Sequence, residues 1–221
     1  MRHNLTRNGL LCCLILLLAS CQKEISIDLG SSGSGSGGNG GSGGSGGNNT
    51  SNIVGSYDFV GLSAHTLSSV SVTQGGQTAK SVTTSDYSSI NNSGTIQITA
   101  NQIIATNLAY AIDTVMNVKT YLDNVLIDNS DLPFAVTLPA TSSTSTYTRI
   151  SADSLSVTGG IGTAPNPSGV GPTGPTGVKL AWSGDTLLLK VNSSFTQTIT
   201  QGGVPAQMIG SVNGVTKLKK R

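Results

Sequence analysis

Val178-Lys179-Leu180-Ala181-Trp182-Ser183-Gly184-Asp185-Thr186-Leu187-Leu188-Leu189-Lys190-Val191 reads as two strands folded back about a tight turn. Apolar and aromatic residues flank Ser183-Gly184-Asp185, and glycine there supplies the positive φ that a hairpin turn demands. No other stretch gives so clear a hairpin. Trp182 is expected to place the core's largest side chain here, inside the core or at its rim, with the indole N–H satisfied.

Working outward, the chain from Ile53 to Arg221 repeats this grammar. Short runs rich in Val, Ile, Thr and Tyr are separated by Gly, Asn and Ser, the punctuation of antiparallel strands. Residues 57–64, 68–73, 94–100, 109–115, 121–127, 195–200 and 206–212 are among them. Gly75-Gly76, Asn92-Ser93-Gly94, Gly202-Gly203 and Asn213-Gly214 are read as further tight turns. Many strands without helical periodicity make the domain at 53–221 all-β and antiparallel, either a barrel or a β-sandwich. One segment departs from the pattern. Residues 159–177 hold seven glycines and four prolines, the composition of a surface loop.

Composition bounds the partners. In 221 residues, Lys and Arg number 12 against 10 Asp and Glu, a net charge of +2, too balanced for a chain built to neutralise phosphates. Nucleic acid is therefore not an expected partner. At 36% apolar and 10% charged, the chain is also not disordered throughout.

The first 21 residues carry an address. Arg2, His3 and Arg7 precede an apolar run at 10–19, the basic and hydrophobic regions of a secretory signal, about half of what a membrane span needs. Leu18-Ala19-Ser20-Cys21 resembles the lipobox of bacterial lipoproteins. The resemblance implies cleavage after residue 20, acylation of Cys21 and a membrane as partner through that lipid. Cys12 and Cys13 leave with the signal, so no disulfide is expected in the mature chain. Gln22-Lys23-Glu24 resembles a Bacteroidetes-type surface export signal. It implies display on the outer membrane at the cell surface, the periplasmic leaflet being the alternative. Residues 21–52 form a flexible linker, since 30–49 are only Gly, Ser and Asn. Twenty such residues reach roughly 25 Å.

The body carries a second resemblance. Gly55-Ser56-Tyr57, opening an alternating strand, resembles the Gly-x-Trp start of lipocalin-like domains, with Tyr57 in place of Trp. Gly184-Asp185-Thr186-Leu187, after Trp182, looks like the late hairpin of bacterial lipocalin-like lipoproteins. The likeness implies a calycin-type barrel that holds a small apolar or amphiphilic molecule between its strands. Tyr57, His65, Tyr110, Arg149 and Trp182 are the candidate ligand-contacting residues. His65 shares one alternating face with Tyr57 and Phe59, and either that face or the opposite one, with Val60 and Leu62, is the interior.

Chemistry-bearing clusters are sparse. His65 is the one histidine left after cleavage, so no His-rich metal site is expected, and no cofactor. Asp113, Asp123, Asp128 and Asp131 surround Tyr121 but lack the terminal Glu of a calcium loop, and are read as solvated turns. Asp113-Thr114-Val115, Asp153-Ser154-Leu155 and Asp185-Thr186-Leu187 resemble Bacteroidetes-type O-glycosylation acceptors. The basic C-terminus, Lys217, Lys219, Lys220 and Arg221, is expected to guard a strand edge. The functional expectation is non-enzymatic ligand binding, with surface adhesion or glycan or protein recognition as the alternative.

Overall fold

The computed structural model describes residues 53–158, 175–201 and 204–221. The signal peptide, Cys21, the linker, most of the Gly/Pro-rich loop and the Gly202-Gly203 turn lie outside the described residues. Nine strands build one antiparallel sheet among those described: β1 (Gly55–Gln74), β2 (Gln77–Ser88), β3 (Ile90–Ile98), β4 (Gln102–Leu122), β5 (Val125–Ser151), β6 (Ser154–Thr158), β7 (Thr176–Ser183), β8 (Thr186–Gln201) and β9 (Val204–Lys220). β1, β3, β4, β5, β6, β7, β8 and β9 pair in succession, and β9 then pairs with β1. The hydrogen bonding thus closes into a ring. β9 is flanked on both sides, so the basic C-terminus guards no free edge; instead Arg221 and Lys219 pair with Asp58 and Asp185 at 2.6 and 3.7 Å.

Beyond the ring the sheet continues without β6 and β7. There β2 replaces β3 between β1 and β4, giving the order β8, β9, β1, β2, β4, β5. The expected short strands merge into these long ones because runs such as Thr66 to Thr73 keep their alternation through Ser and Thr. Thr is a good strand former, so polar composition does not end a strand.

One expected strand and two expected turns are corrected. Residues 121–127 are not one strand, since Asp123 and Asn124 have φ of 50° and 66° and make the β4–β5 turn. Asn213-Gly214 lies within β9, opposite His65 and Ala64. Asn92-Ser93-Gly94 is an irregularity inside β3, where the register to β4 shifts on both sides of Ser93. Gly75-Gly76 and Gly184, by contrast, do form turns, with φ of 59°, 79° and 62°.

A bulge decides which face of β1 is inside. The register to β9 shifts between Phe59 and Gly61, and one extra residue inverts every later side chain. Tyr57 and Phe59 are therefore buried, and so are Ala64, Thr66 and Ser68 further along. His65 points outward. A single uninterrupted alternation, assumed in the sequence reading, does not exist here.

The ring is packed by Tyr57, Phe59, Ile96, Ile98, Ile103, Tyr110, Tyr147, Leu155, Leu180, Leu187, Leu189 and Leu218, all buried. Buried tyrosines need a partner for each hydroxyl. Tyr57 donates to the Ile53 carbonyl and Tyr147 to that of Thr99, both at 2.7 Å. Trp182 is not the centre of this core. It remains 36% exposed and meets the Tyr57 ring at 6.4 Å between centroids, a rim contact. Along β9, Ala206, Met208, Val212 and Leu218 are buried while Gln207, Asn213, Lys217 and Lys219 are exposed.

Past the ring, Phe195 on β8 faces Gly210 on β9. A Cβ placed on Gly210 would enter the Phe195 ring, so glycine gives the aromatic its seat. Gly210→Ala is expected to cost about 1 kcal/mol, overpacking outweighing the gain in strand propensity. In a Phe195→Ala chain the same change is expected to stabilise by about 0.5–1 kcal/mol. Urea unfolding of the four chains checks this reversal of sign.

Candidate functional site

Two adjoining grooves open on the outer face of the sheet, each about 480 Å³. They share Asn213 and Val215 of β9 and together form a shallow trough. One is lined by Ile150, Lys179, Lys190, Asn192 and Val215 among others. The other is lined by Ser63, His65, Asp86 and Ser88. Alternation explains the cast: Val178, Leu180, Leu189 and Val191 turn inward, leaving Lys179 and Lys190 outside.

Lys179 and Lys190 stand directly opposite each other across β7 and β8. Like charges in that position destabilise a sheet. Neither lysine takes part in an ion pair among the described residues. Asp153, close to this end, is held below the usual carboxylate range, first by the 2.6 Å hydrogen bond donated by Ser151 and further by the charge of Lys179. Ile150, 66% exposed, supplies apolar surface beside the lysines.

In the polar groove, His65 and Asp86 are register partners on β1 and β2. His65 Nδ1 lies 2.8 Å from Asp86 Oδ1, and the Asp86 carbonyl accepts the Thr114 hydroxyl at 2.8 Å. The row continues through Asn213, opposite His65, to Asn192, opposite Asn213. A carboxylate that orients an imidazole is half of a catalytic triad. Among the described residues no hydroxyl hydrogen-bonds to the other ring nitrogen.

No protein-family model, curated protein or solved structure matches the chain. The site therefore rests on its own geometry.

That geometry distributes the candidate residues unevenly. Tyr57 and Tyr110 sit in the packed core, Tyr110 against Phe59 at 5.9 Å between centroids. Trp182 joins Tyr57 at the ring's rim. His65 lines the outer trough. Arg149 is exposed, and its guanidinium donates to the Ser151 and Ala152 carbonyls at 3.1 and 2.6 Å, bracing the β5–β6 turn. The five are thus not brought to one place. Lys179, Lys190, Asn192 and Asn213 were not read as site residues in the sequence; the visible signal was two lysines at mirrored positions about Gly184-Asp185.

Among the described residues no group of three or more His, Cys, Asp or Glu could hold a metal ion. No described helix is long and apolar enough to cross a membrane.

Burial gives the tyrosines a testable pH signature. It pushes Tyr110 from 10.0 up to about 12, and moves Tyr87 further in the same direction. Between those values the unfolded chain has lost protons that the folded one keeps, so unfolding free energy falls as pH rises. This contribution is fully present below pH 10 and gone above the folded value. Thermal unfolding from pH 9 to 12 is expected to show the decline, and Tyr110→Phe to flatten it.

Proposed function

We propose that the chain is a lipid-anchored surface protein whose strand-built domain binds an anionic amphiphile in its outer trough without transforming it. The lipobox-like Leu18-Ala19-Ser20-Cys21 supplies the anchor, and the Gly/Ser/Asn tether supplies the reach. Display on the outer membrane follows from the likeness of Gln22-Lys23-Glu24 to a surface export signal. The same reading takes the hydrogen-bonded ring as a lipocalin-like barrel. Its support is the return pairing of β9 with β1 and the Gly55-Ser56-Tyr57 start of β1. A packed ring interior moves the ligand from between the strands to the outer face.

One observation carries the binding proposal: the opposed, exposed lysines, Lys179 and Lys190, line a trough together with Ile150 and Val215. A carboxylate or phosphate between the ammonium groups removes their repulsion, and charge-assisted hydrogen bonds are the strong ones. An alkyl chain then lies along the apolar wall. Calorimetric titration of the chain from residue 22 onward with decanoate and decanol tests the idea. Decanoate is expected to bind at least tenfold tighter. Lys179→Ala and Lys190→Ala are each expected to weaken it about tenfold, the value of one charged hydrogen bond. Equal affinity for acid and alcohol, or indifference to both substitutions, would sink it.

A second reading, glycan recognition, has its own support in the polar row of His65, Asp86 and Asn213. Asp86→Ala would then abolish binding of a neutral oligosaccharide and leave decanoate binding intact.

A further inference from the structure

The two ends of the six-stranded extension differ. β5 between Val125 and Leu138 pairs only with β4, and β8 beyond Val191 pairs only with β9 among the described residues. Among the described residues each therefore presents backbone N–H and C=O groups that no strand pairs, a template for another strand. The β5 edge carries Asp128, Asp131, Pro133 and Pro139, charges and prolines that discourage such pairing. The β8 edge carries nothing of the kind. Ser193-Ser194-Phe195-Thr196-Gln197-Thr198-Ile199-Thr200 has no charge, no proline and no glycine.

This edge is also self-complementary. Residues 195, 197 and 199 share the inner face with Met208 and Ala206 across the ladder, and 196 and 198 share the outer one. An antiparallel pair of β8 edges related by a two-fold axis at Gln197 keeps every face in phase. It sets Phe195 opposite the partner's Ile199 and Thr196 opposite the partner's Thr198. Aromatic with β-branched and Thr with Thr are favourable cross-strand pairs, each formed twice. A shift by one residue would bring inner side chains against outer ones. The guarded β5 edge offers no equivalent match.

We propose that β8 is a self-association edge, pairing antiparallel with β8 of a second copy about Gln197. The interface is isologous and closes at two, since both copies use the same edge. Gln197 is exposed, although it lies across the ladder from the buried Met208.

Sedimentation velocity of the full chain in detergent, with circular dichroism confirming the fold, tests this with charge reversal. The unaltered chain is expected to show a concentration-dependent dimer. Gln197→Lys alone and Gln197→Glu alone each set like charges on the axis, and each is expected to weaken the dimer at least tenfold. Mixing the two variants in equal amounts is expected to restore it. A monomer at every concentration, variants that dimerise as the unaltered chain does, or a mixture no tighter than its parts would each overturn the proposal.

Discussion

Tyr57→Ala is expected to lower the unfolding free energy by about 3–5 kcal/mol, as for other large buried aromatics. Tyr57 is wholly buried, its hydroxyl donates to the Ile53 carbonyl, and its ring supports Trp182. Truncation opens a cavity and also leaves a buried carbonyl without its donor. Tyr57→Phe isolates the second effect and is expected to cost about 1–3 kcal/mol, the penalty of one unsatisfied buried group. The difference between the two variants in urea unfolding then measures packing alone. Nearly equal losses would mean that the ring contributes little and the core is organised elsewhere.

Gly94→Val is expected to cost about 3 kcal/mol or more, through two separate causes. Gly94 has φ of 106°, outside the comfortable range of any β-branched residue. A Cβ there would also stand 2.6 Å from the Asn107 carbonyl oxygen and 2.7 Å from Leu108 Cα. Both neighbours are backbone, so relief requires β4 to move. The site is a paired irregularity: β3 shifts register around Ser93, and β4 shifts against β5 between Ala105 and Leu108. Such bulges bend and twist a sheet, and here they sit where the ring passes into the extension. Gly94→Val should therefore lower stability and also broaden amide NMR signals from Thr106 to Tyr110. Sharp, unshifted signals there would show that the bulge does not depend on Gly94.

Much of the fold was readable because turn chemistry is local. Gly75-Gly76 and Ser183-Gly184-Asp185 reveal themselves by residue type, and the hairpin from Val178 to Val191 needed nothing else. The failures share a cause in tertiary context. Asp123-Asn124 turns the chain without glycine, and Asn213-Gly214 passes straight through because β1 and β8 bracket it. The bulge at Phe59 to Gly61 leaves no clear mark in the sequence, yet it sends His65 to the surface and Ala64 inside.

The site was less readable than the fold. Tyr57, Tyr110 and Trp182 attracted notice as aromatics, but a ring with three buried tyrosines, Tyr57, Tyr110 and Tyr147, uses them for packing. Lys179 and Lys190 gain meaning only when the hairpin register sets them opposite each other. Asn192 and Asn213 join them through a different pairing, with β9. Contacts between distant segments are invisible to a pattern read along the chain.

Mass spectrometry of the protein extracted from membranes of the producing cells tests the anchored, displayed module at its root. The expected N-terminal peptide begins at Cys21 and carries acyl chains, with residues 1–20 removed. A free Cys21 thiol behind an intact 1–20 segment would contradict it.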